Sequence, residues 1–155
     1  MDFINETISQ NGHWEGGKIT IPRTDALVER TAFLQLEKAA GSKFIAVIRG
    51  LRRTGKSVLA RQLMQKTINQ ELKPTEVGWF EFDRSMGATY DDLDKLVKFF
   101  ESRGVKLVVL DEVAFVKGWQ DVLKRHYDNS ETKFIVTGSS ALELDKRSSE
   151  SLAGR

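Results

Sequence analysis

The stretch KFIAVIRGLRRTGKSVLARQLMQKTI, residues 43–68, decides the fold. Its first part, Lys43 to Arg49, is a short and nearly continuous apolar run, as expected of a parallel strand buried on both faces. Gly50 to Ser57 interrupts the run, and from Val58 to Ile68 the period becomes helical, with Ala60, Leu63, Met64 and Ile68 on one stripe. The interrupting segment, Gly50-Leu51-Arg52-Arg53-Thr54-Gly55-Lys56-Ser57, satisfies G-x-x-x-x-G-K-[ST] in the strand–loop–helix context the motif requires. Chance would supply the bare pattern in about one chain in two hundred of this length at ordinary residue frequencies.

The chemistry follows from the residue types. Gly50 and Gly55 allow a backbone whose amides, with those of Thr54 and Val58, converge on phosphate oxygens at a helix N-terminus that already attracts anions. Lys56 is expected to reach the β- and γ-phosphates and Ser57 to ligate Mg²⁺. Arg52 and Arg53, inside the loop, are candidates for a phosphate contact or for pairing with an acidic neighbour.

Downstream, Val77 to Phe82 is read as a second strand, followed by a helix whose Leu93, Leu96, Val97 and Phe100 fit the i, i+3, i+4, i+7 template. Thr89 with Asp92 resembles a capping box, and Gly104 ends that helix. Val105 to Leu110 is a third strand. A helix with Trp119, Val122, Leu123 and His126 on one face follows, then a fourth strand at Lys133 to Thr137. The alternation predicts an α/β protein, a three-layer α/β/α P-loop nucleotide-triphosphatase fold with a parallel sheet.

The third strand ends in Asp111 and Glu112, where carboxyl ends of parallel strands face a ligand crevice. Asp111 is the candidate Mg²⁺-shell carboxylate of a Walker B motif, and Glu112 the candidate general base that orients the attacking water. A whole strand and helix separate the two motifs in the chain. This order resembles the division in which an additional strand lies between the Walker A and Walker B strands and a catalytic glutamate follows the aspartate. It favours an ATPase over a phosphotransferase. At the end of the fourth strand, Ser139, with Thr137 next, is the candidate γ-phosphate sensor; the alternative is a Ser-rich helix cap at Thr137-Gly138-Ser139-Ser140. Arg155 is a candidate arginine finger acting in trans, against an ordinary exposed terminal arginine. Trp79, Trp119 and His126 are read as core, and Trp14 as packing rather than stacking on adenine.

Upstream, Thr24 to Ala40 reads as a helix with Asp25 near its start and Gly41 as its stop. Residues 1–22 are expected to be an irregular segment, with Gly12, Gly16 and Gly17 around Trp14 and a short extended piece, Lys18 to Ile21, before Pro22. Residues 23–155 are the core domain.

Bulk properties narrow the class. The 155 residues, 40% hydrophobic and 30% charged, suit one globular domain. With no cysteine and only His13 and His126, thiolate and histidine metal sites are excluded or improbable. No apolar run is long enough to span a bilayer and no signal-peptide layout begins the chain, so a cytoplasmic protein without a membrane partner is expected. A net charge of +2 is too mild for a nucleic-acid grip by itself, and Arg49, Arg52, Arg53, Lys56 and Arg61 coincide with the phosphate loop. The lack of an N-K-x-D-type guanine signature favours ATP over GTP.

GLRRTGKSVLARQL (50–63), LVVLDEVAFVKGWQDVLKRHYD (107–128) and KFIVTGSSALEL through SLAGR (133–155) together resemble the prokaryotic, especially archaeal, AAA-type ATPases related to the signal-transduction P-loop ATPases. The resemblance implies an ATP-driven switch or motor module, with Lys56, Ser57, Asp111 and Glu112 in the roles above; a homo-oligomer whose sites are completed in trans is a partner arrangement left open. Members of that family continue past S-L-A-G-R into a further strand and a C-terminal effector domain, whereas this chain stops at Arg155. The expectation is an ATPase core truncated at its C-terminal end. Two other readings stay open: a nucleotide-binding regulatory module with little turnover, and the ATPase part of a DNA-associated motor.

Overall fold

A computed structural model describes residues 3–21, 45–51 and 53–139. Helix α1 (Phe3–Gln10) and the one-turn α2 (His13–Gly16) precede β1 (Ile45–Gly50), α3 (Lys56–Gln70), β2 (Val77–Glu81), α4 (Tyr90–Ser102), β3 (Leu107–Asp111), α5 (Trp119–Asn129) and β4 (Lys133–Ser139). The four strands form one parallel sheet in the order β1-β4-β3-β2. β4 therefore lies between the strand that feeds the phosphate loop and the strand that ends in Asp111, as the order of motifs in the chain predicts. The sheet and its flanking helices have the expected P-loop α/β/α architecture. The helix expected at 24–40, its stop at Gly41 and the boundary at 22–23 lie outside the described residues, as do Arg52, Ser140 and Arg155.

The strands are apolar almost throughout because both faces of the sheet are covered. Alternation along each strand sends side chains to opposite layers. Phe80, Val108, Leu110, Phe134 and Val136 pack with Leu93, Leu96, Val97 and Phe100 of α4 and with Trp119, Val122 and Leu123 of α5. On the other face, Ala46, Ile48, Trp79, Val109 and Ile135 meet Ala60, Leu63 and Met64 of α3. At Gly78 a Cβ would lie 2.6 Å from the Phe100 ring, so β2 and α4 approach closely only because that position has no side chain. α4 starts where its capping box predicts: Thr89 Oγ1 accepts from Asp92 N–H (3.3 Å) and the Asp92 carboxylate accepts from Thr89 N–H (3.0 Å).

The N-terminal stretch differs from its reading as irregular. It is helical over Phe3–Gln10 and His13–Gly16, and residues 18–21 pair with no described strand. The short helices were invisible to periodicity because they dock through polar side chains on the outer edge of β2. The Asn11 side chain donates to Trp79 C=O (2.8 Å) and accepts from Trp79 N–H (2.7 Å), as a peptide group of a fifth strand would. Gln10 does the same at Glu81, accepting from its N–H at 2.7 Å and donating to its C=O at 3.4 Å. His13 Nε2 and Trp14 Nε1 each lie 2.8 Å from Val77 C=O, and Val77 N–H is taken by Pro74 C=O. Trp14 is edge-on to Phe100 at 6.2 Å and lies under the Arg103 guanidinium at 4.8 Å. It packs, as expected.

Candidate functional site

β1 delivers the chain into the phosphate loop at Gly50, where an added Cβ would stand 3.0 Å from Thr54 Oγ1. Thr54 Oγ1 in turn donates to Leu51 C=O (2.8 Å), which ties the loop into a ring. Gly55, at φ 84°, turns the backbone into α3 through the left-handed region, where a side chain is disfavoured. As the N-cap of a fifteen-residue helix it offers no side-chain acceptor, so the first-turn amides of α3, around Ser57 and Val58, are uncapped and open to an anion. Arg53 adopts φ 63° with its side chain exposed. That conformation costs a non-glycine residue about 1–2 kcal/mol. Its side chain is therefore presented outward at the loop's tip, at an energetic cost.

Lys56 is buried to 7% exposure. Its Nζ donates to Leu51 C=O (2.9 Å) and lies 3.8 Å from Glu112 Oε1. The lysine thus spans from the loop to the carboxyl end of β3, with its ammonium where phosphate charge is expected. Of the basic residues of the motif region, Arg61 stacks on Trp79 (4.6 Å) and pairs with Glu81 (3.3 Å).

At the end of β3, Asp111 is fully buried. Its Oδ1 accepts a short hydrogen bond from the Thr137 hydroxyl, while Oδ2 has no hydrogen-bond partner among the described residues. A buried carboxylate oxygen left bare calls for a cation. The donor set, the Asp111 carboxylate and the Ser57 hydroxyl, consists of hard oxygens that suit Mg²⁺. The fit is one of donor chemistry. Glu112 leaves the strand at φ 52°, and this left-handed turn directs its carboxylate to Lys56 and to Ser139, whose N–H donates to Oε2 (3.1 Å).

The two sensor candidates, Thr137 and Ser139, are placed differently. Thr137 is completely buried, and its hydroxyl is occupied by Asp111 and by Glu112 N–H (3.0 Å), so it has no face for a γ-phosphate. Ser139, 5% exposed and opposite Gly50 in the β1–β4 register, contributes its backbone amide to Glu112. A further charged residue, not named as a candidate, stands at this rim. Glu81 ends β2 and is opposite Asp111 in the register. Burial raises its pKa, as do the charges of Asp111, Asp83 and Glu112, against the lowering effect of Arg61. Its place at a strand's carboxyl end was the available signal. Arg61, its partner, carries no motif.

Elsewhere, a cavity of about 370 Å³ lined by Gln10, His13, Lys18, Arg61 and Trp79 contains no residue of the phosphate loop and neither acid. Burial lowers the pKa of His13 there, against the raising effect of its bond to Val77 C=O. Among the described residues no helix is long and apolar enough to cross a membrane.

A sequence profile of the AAA domain family matches residues 42–155. A Haemophilus influenzae protein is 29% identical over 136 residues, covering 84% of this chain and 34% of its own length. Two Methanocaldococcus jannaschii proteins, MJ1637 and MJ1544, are each 33% identical and cover 73% and 72% of this chain and 24% of their own lengths. The chain thus spans about a third or less of these relatives. The solved structure of C. elegans PCH-2 is similar in fold, with a TM-score of 0.55 at 14% identity, covering 93% of this chain and 45% of that one.

Proposed function

The chain belongs to the AAA domain family, and from that premise we propose that this nucleotide-binding, ATPase-type module binds Mg²⁺-ATP at Gly50 to Val58 and hydrolyses it with Glu112. The observation that carries the reading is the position of Lys56 Nζ, bridging the phosphate loop at Leu51 C=O and Glu112, 3.8 Å from Glu112 Oε1. Uncapped amides at the start of α3 would hold phosphate oxygens, and Lys56 would exchange Leu51 C=O and Glu112 for the β- and γ-phosphates. Ser57 and Asp111 Oδ2 would hold Mg²⁺, which when bound supplies charge neutralisation at the transferring phosphoryl group. Glu112, freed from Lys56, would accept the proton of the attacking water. Arg53 would approach the phosphates from the loop's tip. Ser139 would hold Glu112 in place through its amide. Arg155 from a second copy would complete the site, and the nucleotide state would be relayed, as a switch or motor, to an effector part.

One observation favours a second reading, a binding module with little turnover: both oxygens of Glu112 are engaged, by Lys56 and by Ser139 N–H. Phosphate release from Mg²⁺-ATP, measured over a range of protein concentrations alongside Glu112→Gln and Lys56→Ala, separates the two. Turnover per chain that rises with concentration and disappears in Glu112→Gln supports hydrolysis at a site shared between copies. Absence of release, with ATP binding that Lys56→Ala abolishes, supports the binding module.

A further inference from the structure

We propose that Thr137 is a positioning residue for both acids of the ATP site, through which β4 sets the metal-facing oxygen of Asp111 and the direction of Glu112; the inference rests on the reading of that site given above. A hydroxyl has one proton to give and lone pairs to accept. Thr137 uses both functions on adjacent residues of the neighbouring strand, donating to Asp111 Oδ1 and accepting from Glu112 N–H at 3.0 Å. It is fully buried, so water does not compete for either bond.

Two consequences follow. The Asp111 oxygens become inequivalent. Oδ1 is occupied, the carboxylate cannot rotate without breaking that bond, and Oδ2 remains buried without a partner among the described residues, left available to a cation. The second concerns Glu112. Successive residues of an extended strand point to opposite faces, which would separate the two acids. The left-handed backbone at Glu112, φ 52°, breaks that alternation, and the bond from its N–H to Thr137 fixes the turn. Glu112 is thereby aimed at Lys56 and Ser139 and not into the layer behind the sheet. Valine, equal in shape, has neither function, whereas serine keeps both.

The test compares Thr137→Val and Thr137→Ser with the unsubstituted protein. The readout is the Mg²⁺ concentration that half-saturates binding of a fluorescent ATP analogue, with analogue affinity in EDTA and the ligand-free melting temperature as controls. Thr137→Val is expected to raise the Mg²⁺ requirement about 10- to 100-fold, the usual cost of losing a group that orients a metal ligand, with little change in EDTA. Thr137→Ser is expected to stay close to the unsubstituted protein. An unchanged Mg²⁺ requirement in Thr137→Val, or an equal loss in Thr137→Ser, overturns the proposal. Should the valine variant fail to fold, Thr137→Cys, a weak donor of similar size, carries the same comparison. If the unsubstituted protein binds the analogue without any dependence on Mg²⁺, the ATP-site reading falls and this one with it.

Discussion

Glu112 has two tasks in tension. As a base it must be free, yet it lies 3.8 Å from Lys56, the ammonium that phosphates need. Glu112→Gln removes the charge that holds Lys56 and also the repulsion between a carboxylate and a triphosphate. We therefore expect that variant to lose turnover by about 10²- to 10⁴-fold and at the same time to bind ATP several-fold more tightly, as read by a fluorescence titration. Weaker binding would show that the Lys56–Glu112 contact does not compete with nucleotide. Lys56, Ser57, Asp111 and Glu112 were legible in the sequence because each lies at a fixed offset from a strand's carboxyl end. The part played by Thr137 was not, because its two partners are 25 and 26 residues away and meet it only across the β3–β4 pair. Spacing along the chain cannot report which hydroxyl of T-G-S-S faces inward.

Between elements, α4 and α5 are joined by a polar bond as well as by their apolar faces. His126, read as a core residue, is indeed buried, but both its ring nitrogens face carboxylates of α4: Nε2 lies 2.8 Å from Asp94 and Nδ1 3.0 Å from Glu101. Burial raises the Asp94 pKa, but hydrogen bonds from Lys98 and His126 and the charges of Arg125 and Lys98 outweigh it and hold the carboxyl at about 2 against a usual 3.8. A folded-state value below the unfolded one stabilises the protein above pH 3.8, and that contribution is lost as the pH falls toward about 2. Asp94→Asn should consequently lower Tm at neutral pH, and its deficit should shrink as the pH is lowered through that window; a deficit independent of pH would assign the effect to packing. The strands were readable at this scale because burial on both faces makes them continuous apolar runs, and α4 because its stripe and capping box are local. α1 and α2 were not, because side-chain amides tie them to β2 and only Phe3 and Trp14 meet the core, too few to make a stripe. Asn11→Ala would strand the N–H and C=O of Trp79 with no partner at a buried edge, and should cost about 1–3 kcal/mol for each group left unsatisfied, seen as a fall in the denaturant midpoint.

In the whole molecule, the order β1-β4-β3-β2 brings the carboxyl ends of all four strands, with Gly50, Ser139, Asp111 and Glu81, to one rim of the sheet. The N-terminal segment lies before the part matched by the AAA domain profile, which begins at residue 42, and yet it lines the far side of β2 with a row of borrowed peptide-like contacts. Sheets with an open side recruit further strands, and proteins that stay monodisperse blunt that side with charge, proline or a cover. Here the cover is a short, separable piece of sequence. A fragment cut to the profile boundary, residues 42–155, would retain every residue of the phosphate loop and both acids but bare the row at Val77, Trp79 and Glu81. We expect it to self-associate, sedimenting as oligomers or collecting in the pellet at concentrations where the full chain remains dispersed, and to recover when a peptide of residues 1–21 is added. The solubility of this domain would then reside in twenty-one residues that lie outside the phosphate loop and both acids.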